Sequence, residues 1–325
     1  MGGPAPGSWR VVVTGGAGFI GTHSVELLLA EGADVLVLDD LRHRSARGLP
    51  AGADLLVADV GGPEAVAAIA SFRPQAILHL AAQGGVNRSW HDPAADATTN
   101  VLATVNMLQA AVDAAVPRLV FASSGGALYG DSAVLPAPED VAQAPRSPYG
   151  AAKAACEVYV AMFARSAGLS ALSLRYGNVY GPGQDGTGEA GVVAISSERL
   201  LNGLAPVVRG DGLQTRDFVN VADVAAANLL GVRSSETGAM NIATGVETTV
   251  LQVVSWIAEA AGFNGDFERV PAPPGEVRRS ALDTTQARDR LGWSAQTALR
   301  PGLRHTYSHF RDAAGTQERG VVTST

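Results

Sequence analysis

A tyrosine and the only lysine of the chain form the pair of residues best suited to proton chemistry. Tyr149 and Lys153 stand four residues apart in the segment Tyr149-Gly150-Ala151-Ala152-Lys153. On a helix, residues at positions i and i+4 share one face, so the phenol and the ammonium would point the same way. An ammonium beside a phenol favours the phenolate and lowers a pKa that is ordinarily about 10. The spacing therefore predicts a general base that works near neutral pH.

An ordinary surface contact is the alternative explanation for this pair, because side chains at this spacing also meet on exposed helix faces. The chain has six tyrosines in 325 residues, so a single lysine would follow one of them by four at about 6 of 325 positions, or roughly 2%. All other basic residues apart from histidine are arginine, whose planar guanidinium does not replace a compact ammonium. We therefore interpret Tyr149 and Lys153 as functional.

A glycine-rich turn is the second motif that indicates chemistry. The segment Thr14–Gly21 stands between an apolar strand pattern and a helical pattern. Glycines at Gly15, Gly18 and Gly21 let the backbone turn tightly and approach a pyrophosphate at a helix N-terminus. The turn alone also fits an ordinary strand-to-helix connection, so the next strand has to distinguish the two.

The next strand ends with Asp39 and Asp40, and Asp39 comes 18 residues after Gly21. A carboxylate at this strand end accepts hydrogen bonds from the adenosine ribose and repels a 2′-phosphate. The sequence therefore favours NAD over NADP, although Arg42 and Arg44 nearby leave NADP open as the alternative.

Composition excludes several classes of function. The net charge of −7 argues against a nucleic-acid partner, since phosphate binding needs a concentrated positive surface. Hydrophobic residues make up 46% of the chain and charged residues 17%, a balance that supports a folded core. We see neither an apolar run long enough for a membrane span nor the pattern of a signal peptide. The single Cys156, and the lack of a Cys/His cluster with metal-ligand spacing, lead us to expect a soluble, cytoplasmic, metal-free protein.

The elements that must position these residues alternate between short apolar strands and helical patterns. Strands are predicted at 9–14, 34–39, 54–59, 76–80, 118–123 and 170–175. Helices are predicted at 18–31, 63–72, 92–116 and 149–167. Strands that are apolar on both faces belong to a parallel sheet covered by helices. The fold class is therefore α/β, a doubly wound parallel sheet of the Rossmann type with a smaller mixed α/β C-terminal lobe.

Domain boundaries follow from a change of pattern after residue 180, where shorter elements succeed a glycine-rich loop. We assign 9–180 to a dinucleotide-binding domain and expect 221–245 to return to it. The segments 181–220 and 246–312 are assigned to a substrate-binding lobe. Residues 1–8 and 313–325 are expected to be flexible tails.

Four further motifs identify the group of proteins that this sequence resembles. They are His79–Gln83, Ser123–Gly130, Leu174–Pro182 and Gly210–Phe218. With the glycine-rich turn and the Tyr149/Lys153 pair, they make the chain similar, from about Val11 to Arg304, to the extended short-chain dehydrogenases/reductases of the nucleotide-sugar epimerase/dehydratase group. Within that group it is most similar to the UDP-glucose 4-epimerases.

The resemblance implies a role for each motif. Tyr149 would take the proton of the sugar 4-hydroxyl, Ser124 would hydrogen-bond the same oxygen, and Lys153 would bind the nicotinamide ribose. The residues implied to bind a UDP-sugar are Ser124, Tyr149, Asn178, Val192, Arg216 and Arg279. The residues implied to bind NAD are Gly15, Gly18, Phe19, Ile20, Gly21, Asp39, Asp40, Asp59, Val60, Leu80, Ala81, Ala82, Asn100, Ser123, Tyr149, Lys153 and Tyr176. On spacing alone, Asp59 fits an adenine contact and an ordinary turn equally well.

The residues after Ser124 select among the reactions of this group. Dehydrating relatives carry Asp-Glu there and decarboxylating relatives usually a Glu, whereas this chain has Gly125-Gly126-Ala127, none of which titrates. The resemblance thus implies epimerisation at C4, by transient oxidation and return of the hydride to the opposite face. Small residues such as Gly125, Gly126 and Gly177 would leave room for the intermediate to turn. UDP-glucose and UDP-galactose are the expected substrates; UDP-uronates, UDP-N-acetylhexosamines, dTDP-sugars and a non-catalytic NAD-binding regulator are the alternatives.

Two departures from the family pattern affect the site, and the helices imply an assembly. The serine segment is one residue longer than the common pattern, so Ser123 competes with Ser124 for the catalytic role. Pro273 stands where the family often has an arginine that clamps the diphosphate, so either Arg278 or Arg279 would compensate or the nucleotide would be held more loosely. The helices at 92–116 and 149–167 correspond to the pair that forms a four-helix bundle in relatives, which implies a homodimer.

Overall fold

The computed structural model describes residues 9–42, 46–186, 191–272 and 276–321. Its strands are β1 (Trp9–Thr14), β2 (Ala33–Asp39), β3 (Asp54–Val57), β4 (Ala76–His79), β5 (Arg118–Ser124), β6 (Ser170–Tyr176), β7 (Asn178–Tyr180), β8 (Val207–Arg209), β9 (Thr215–Arg216), β10 (Phe218–Asn220), β11 (Gly238–Ile242), β12 (Thr248–Thr249) and β13 (Glu268–Val270). Its α-helices are α1 (Phe19–Ala30), α2 (Pro63–Phe72), α3 (Val86–His91), α4 (Pro93–Ala97), α5 (Ala103–Asp113), α6 (Gly125–Leu128), α7 (Pro148–Ala167), α8 (Val192–Leu201), α9 (Val221–Arg233), α10 (Val250–Ala261), α11 (Thr285–Leu291) and α12 (Leu299–Val321).

Seven strands form one parallel sheet in the order β11-β6-β5-β4-β1-β2-β3. Because β1 pairs with β2 on one side and with β4 on the other, the chain reverses its direction of winding beside β1. Such a reversal opens a crevice at the carboxyl ends of the strands, where open α/β sheets bind their ligands. The predicted doubly wound α/β fold is confirmed.

Both faces of this sheet are buried, as the apolar strand patterns predict. Along β1, Val11 and Val13 belong to one core cluster, whereas Val12 belongs to a second cluster on the opposite face. The first cluster includes Val25 of α1, and α1 packs against α9. The second includes Met107 of α5, which packs beside α7. This two-sided burial holds the strand ends, and with them the predicted site residues, in fixed positions.

The helix expected at 92–116 is divided into several pieces. Asp92 caps a new helix, α4, because its side chain accepts a hydrogen bond from the Ala95 amide at 2.9 Å. A π-helical turn, Thr98–Leu102, then separates α4 from α5. This turn carries Asn100, whose side chain bonds to the main chain of Gln83. A tertiary contact, which periodicity does not reveal, therefore coincides with the interruption.

The small strands of the C-terminal lobe pair in twos: β7 with β10 and β8 with β13 in parallel, and β9 with β12 antiparallel. Helices α8, α10 and α12 pack together around Tyr180, Phe218 and Ile257. In contrast, β11 pairs with β6 in the main sheet and α9 packs on α1. The polypeptide therefore leaves the main sheet after β6 to begin the lobe, returns to the sheet with α9 and β11, and then forms the rest of the lobe.

The sequence pattern does not predict α12, which extends to Val321 and so occupies residues assigned above to a tail. Residues 1–8 and 322–325 lie outside the described residues. No helix among the described residues is long and apolar enough to cross a membrane.

Candidate active site

The glycine-rich turn brings β1 and α1 against the loop that follows β4. Gly15 has a φ of +68°, and a side chain there would place its Cβ 2.7 Å from the Ala81 amide nitrogen. A Cβ on Gly21 would collide with the Gly15 carbonyl oxygen. Only glycine is therefore compatible with this close packing at the N-terminus of α1, which fits a pyrophosphate cradle.

Asp39, at the end of β2, holds this turn from the other side. Its Oδ2 accepts a hydrogen bond from the Ala17 amide at 3.0 Å, and its Oδ1 accepts one from the Leu41 amide at 2.9 Å. Arg42, which left NADP open, lies 3.1 Å from a carboxylate oxygen of Asp40 and 3.7 Å from one of Asp59. The arginine is thus neutralised by two carboxylates and is a poor ligand for a 2′-phosphate. Arg44 lies outside the described residues.

These residues line a cavity of about 510 Å³ along the carboxyl edge of the sheet. Sixteen of the seventeen residues expected to bind NAD line it, namely Gly15, Gly18, Phe19, Ile20, Gly21, Asp39, Asp40, Asp59, Val60, Leu80, Ala81, Ala82, Ser123, Tyr149, Lys153 and Tyr176. The exception is Asn100, which is buried behind the wall and holds the main chain of Gln83 instead. The geometry therefore does not support Asn100 as a lining residue, because the π-helical turn directs its amide toward the loop after β4.

Tyr149 lies in the first turn of α7, next to the end of β5. Ser147 caps this helix by accepting a hydrogen bond from the Gly150 amide at 3.1 Å, and Gly150 allows close contact with the Ala127 carbonyl. Ser124 lies near enough to the phenol of Tyr149 to lower its pKa as a hydrogen-bond partner. The Ser123 hydroxyl instead donates to Glu157 Oε1 at 2.6 Å. Of the two candidate serines, Ser124 is therefore the one that meets the tyrosine.

The electrostatics of the pair differ from the expectation. Burial raises the pKa of Tyr149 to about 12, and the hydrogen bond from Ser124 offsets only part of that rise. In the protein without a bound nucleotide, the pKa of Tyr149 is therefore above its ordinary value and not below it as the sequence led us to expect, because burial removes the hydration of the phenolate. Burial also lowers the pKa of Lys153 to about 8, against the nearby Cys156, Asp96 and Glu157, which raise it.

Asn178, Val192 and Arg216 line a second cavity, of about 400 Å³, beside the lobe. Nη1 of Arg216 donates 2.8 Å hydrogen bonds to the carbonyl oxygens of Thr215 and Val277, and its Nη2 lies 3.2 Å from Glu276 Oε1. Arg216 is therefore a fixed cation in the wall of this cavity, where its guanidinium suits a diphosphate.

Arg279 does not line this cavity, so the geometry does not support its assignment to the substrate. Its guanidinium pairs with both carboxylate oxygens of Glu247, at 2.9 and 2.5 Å, and its side chain is 61% exposed. Arg278 pairs in the same way with Asp211, at 2.8 Å. Pro273 lies outside the described residues.

Several residues that the sequence analysis did not single out also line the two cavities. The first holds Gln83 and Arg88, and the second holds Asn87, Arg209 and Gln214. Gln83 and Gln214 lie within quoted motifs and Arg209 directly precedes one, whereas no motif of the sequence indicated Asn87 or Arg88. Among the described residues, Arg209 lines the cavity without an ion-pair partner. The two cavities approach each other at α3, because Arg88 lines the first cavity and its neighbour Asn87 lines the second.

Comparison with known proteins agrees with this geometry. Residues 11–243 match the NAD dependent epimerase/dehydratase family. The chain is 43% identical to the UDP-glucose 4-epimerase of Mycolicibacterium smegmatis over 309 residues, which cover 93% of this chain and 99% of that protein. The crystal structure of the UDP-glucose 4-epimerase of Thermotoga maritima with UDP-glucose is 41% identical, with a TM-score of 0.92 and coverage of 94% of this chain and 99% of that one. The Thermus thermophilus UDP-glucose 4-epimerase in complex with NAD is 43% identical, with a TM-score of 0.89 and the same coverage. The chain therefore belongs to the NAD-dependent epimerase/dehydratase family of extended short-chain dehydrogenases/reductases, with NAD as its cofactor.

Proposed function

We propose that this enzyme is a UDP-sugar 4-epimerase that interconverts UDP-glucose and UDP-galactose. The observation that carries the proposal is Tyr149, which lines the first cavity with Lys153 and has Ser124 beside its phenol, together with Gly125-Gly126-Ala127 after Ser124. Tyr149 can remove a proton from a hydroxyl, and the three residues after Ser124 provide neither acid nor base for an elimination. The relatives named UDP-glucose 4-epimerase support the choice of substrate.

Each residue then has a defined task. Tyr149 accepts the proton of the sugar 4-hydroxyl, and Ser124 hydrogen-bonds the same oxygen and keeps it in line with the phenol. Lys153 binds the nicotinamide ribose and places its positive charge near the phenol. When bound, NAD supplies the acceptor that takes the C4 hydride and returns it to the opposite face of the sugar.

The second cavity holds the nucleotide diphosphate in this proposal. Arg216 provides the charge-assisted hydrogen bonds. Asn178 lies at the end of this cavity that is nearest Gly126, since its Oδ1 would be 3.3 Å from a Cβ on that glycine.

Of Gly125, Gly126 and Gly177, only Gly126 leaves room for the sugar intermediate to turn in this proposal. A Cβ on Gly125 would collide with Leu282, and one on Gly177 would lie 2.7 Å from the Asp217 carbonyl, so these two glycines permit packing.

Two assays test the function. Incubation of the purified enzyme with a panel of UDP- and dTDP-sugars, followed by proton NMR, should show inversion at C4 of UDP-glucose and UDP-galactose without added cofactor. Conversion only of a UDP-uronate, a UDP-N-acetylhexosamine or a dTDP-sugar would reject the proposed substrate. UDP-glucose deuterated at C4 should give UDP-galactose that keeps the label at C4, whereas loss of deuterium to solvent would exclude hydride transfer.

A homodimer completes the proposal. On α7, Val158, Tyr159 and Met162 are 66%, 39% and 37% exposed, and Leu102 of the neighbouring π-helical turn is 53% exposed. α7 packs beside this turn and α5, so these exposed apolar side chains lie on neighbouring elements, which a second copy would cover in a four-helix bundle. A cytoplasmic location stays a prediction from the sequence.

A further inference from the structure

We propose that Glu157 and Arg175 are positioning residues, whose buried ion pair holds the end of β5 against α7 so that Ser124 and Tyr149 stay in contact. This inference rests on the proposed function only for its kinetic readout. Neither residue touches the cavities that hold cofactor and substrate.

The ion pair is buried and all four of its main contacts are short. Side-chain exposure is 8% for Glu157 and 7% for Arg175. Glu157 Oε1 accepts from Ser123 Oγ at 2.6 Å and from Arg175 Nε at 2.9 Å. Glu157 Oε2 accepts from Arg175 Nη2 at 2.6 Å and from Gln143 Nε2 at 2.8 Å. Each carboxylate oxygen therefore has two donors, which is the condition under which a buried charge is tolerated.

Arg175 extends the network of hydrogen bonds to the segment that follows α6. Its Nη1 donates to the Tyr129 hydroxyl at 2.6 Å and to the Glu139 carbonyl at 2.9 Å. The Tyr129 hydroxyl in turn donates to Asn241 Oδ1 at 2.9 Å. The pair thus ties α7, β5, β6 and β11 together immediately behind the catalytic residues.

Three consecutive residues at the end of β5 face one side of α7, and two of them are hydrogen-bonded to it. Tyr149, Lys153 and Glu157 are spaced by four and share that face. Lys153 Nζ donates to the Ala122 carbonyl at 2.8 Å and Ser123 donates to Glu157, while Ser124 lies beside Tyr149 and lowers its pKa. Glu157 is the member of this face that makes no contact with reactants, so its contribution is to fix the distance between strand and helix.

The charge of Glu157 also acts on Lys153. The titratable groups that face Lys153 are Asp96 of α4, His79 of β4, and Tyr149, Cys156 and Glu157 of α7, with Arg175 beyond Glu157. Glu157 raises the pKa of Lys153 against burial. Removing that negative charge, which also leaves Arg175 unpaired, must make Lys153 lose its proton at a lower pH.

Glu157→Gln in the NAD-loaded enzyme tests the proposal. We expect kcat to fall by about 10- to 100-fold, as for a small misplacement of reacting groups, while KM for UDP-glucose changes by less than about threefold. We also expect the alkaline limb of the pH profile of kcat to move to lower pH by about half to one unit. A folded, NAD-loaded Glu157→Gln enzyme with the parent kcat and the parent alkaline limb would overturn the proposal.

Arg118→Met is the matched control. Like Arg175 of β6, Arg118 is a buried arginine, but it is the first residue of β5, at the opposite end of that strand from Ser123 and Ser124, and it bonds to the Gly231 and Glu236 carbonyls. It should lower the melting temperature without moving kcat per folded molecule or the pH profile. If Arg118→Met reproduced both kinetic effects, general destabilisation would explain them and the proposal would fail.

Two further measurements keep the test decisive. If Glu157→Gln does not fold, Ser123→Ala removes one contact of the pair and should lower kcat by roughly threefold or more with the alkaline limb unchanged; an unchanged kcat would reject the proposal. Amide hydrogen exchange at 122–124 needs no substrate, so it separates this inference from the proposed function. It should be faster in Glu157→Gln than in Arg118→Met, and equal rates would contradict the positioning role even if the parent enzyme acted on another sugar.

Discussion

The ammonium of Lys153 donates a 2.8 Å hydrogen bond to the carbonyl oxygen of Ala122, two residues before Ser124 on the same strand. The ammonium also lies 4.7 Å from the centre of the Phe121 ring and 5.9 Å from that of the Tyr149 ring. A cation with so little water around it is costly to bury, which is why the pKa of Lys153 falls to about 8. The site therefore keeps a charge that destabilises the protein when no nucleotide is bound.

Lys153→Met should stabilise the NAD-free protein and inactivate it. In the parent, Lys153 has a lower pKa in the folded protein than in the unfolded chain, so it opposes folding fully below about pH 8. This opposition is relieved as the pH rises toward the unfolded pKa of about 10.4. The melting temperature of NAD-stripped Lys153→Met should thus exceed that of the parent at pH 7, and the gap should shrink above pH 8.

The catalytic activity of Lys153→Met should fall even though its stability rises. We expect Lys153→Met to lose on the order of 10²–10⁴-fold in kcat. Lys153→Arg should be severely impaired as well, since a planar fork does not replace a single compact donor. A Lys153→Met protein that is less stable than the parent at pH 7 would contradict the burial cost, and an active one would exclude the assigned role.

Tyr149 should stay protonated in the NAD-free protein until the pH approaches 12, because burial raises its pKa to about 12. The measurement is the ultraviolet difference spectrum of phenolate between the parent and Tyr149→Phe during an alkaline titration. Tyr149→Phe should retain the fold and lose about 10²–10⁴-fold in kcat. Phenolate absorbance from Tyr149 near pH 8 without nucleotide would show that Lys153 alone tunes the tyrosine.

Asp39→Asn should weaken NAD binding and reduce the preference for NAD over NADP. The carboxylate accepts bonds from the Ala17 and Leu41 amides, and an Asn side chain cannot accept with both ends. Loss of one hydrogen bond to a charged group costs about 1.5–3 kcal/mol, or roughly 10- to 100-fold in Kd. Asp113→Asn, at an exposed carboxylate of α5 that bonds to Gln109, is the control, and equal NAD affinity in both variants would reject this role.

Sequence patterns predicted the parts of this protein that depend on local chemistry. Val11, Val12 and Val13 signal a strand buried on both faces, and Asp39 at a strand end places a carboxylate in the wall of the first cavity. The differences between expectation and structure concern choices that only tertiary contacts make. Asn100 is directed by its bond to Gln83, and the pKa of Tyr149 depends on burial that composition does not disclose.

Val158→Asp combined with Met162→Asp should convert the proposed homodimer into a monomer. Both side chains lie exposed on α7, at 66% and 37%, and a carboxylate in a covered apolar face would lose its hydration. Light scattering at micromolar concentration measures the mass. Leu204→Asp, at a 51% exposed leucine after α8, should leave the mass unchanged, and a monomeric parent would refute the dimer.

Arg216→Met and Arg279→Met should separate a residue that binds the nucleotide from one that does not. Arg216 is held in the wall of the second cavity by two carbonyl oxygens and Glu276, so its removal should raise the Kd of UDP by about 10- to 100-fold. Arg279 is engaged by Glu247 on the surface, where an exposed ion pair is worth about 0–1 kcal/mol. Its replacement should leave the Kd of UDP within about threefold of the parent value.

Arg209→Met completes this comparison, because Arg209 lines the same cavity and no ion pair occupies it among the described residues. A free guanidinium is available to an anionic ligand, so Arg209→Met should weaken UDP more than Arg279→Met does. Isothermal titration calorimetry with UDP on the NAD-loaded variants gives the three constants directly. If Arg279→Met caused the largest loss, the arginine beside Glu247 would have to leave its partner when the nucleotide binds, and the cavity wall derived from the unliganded geometry would be incomplete.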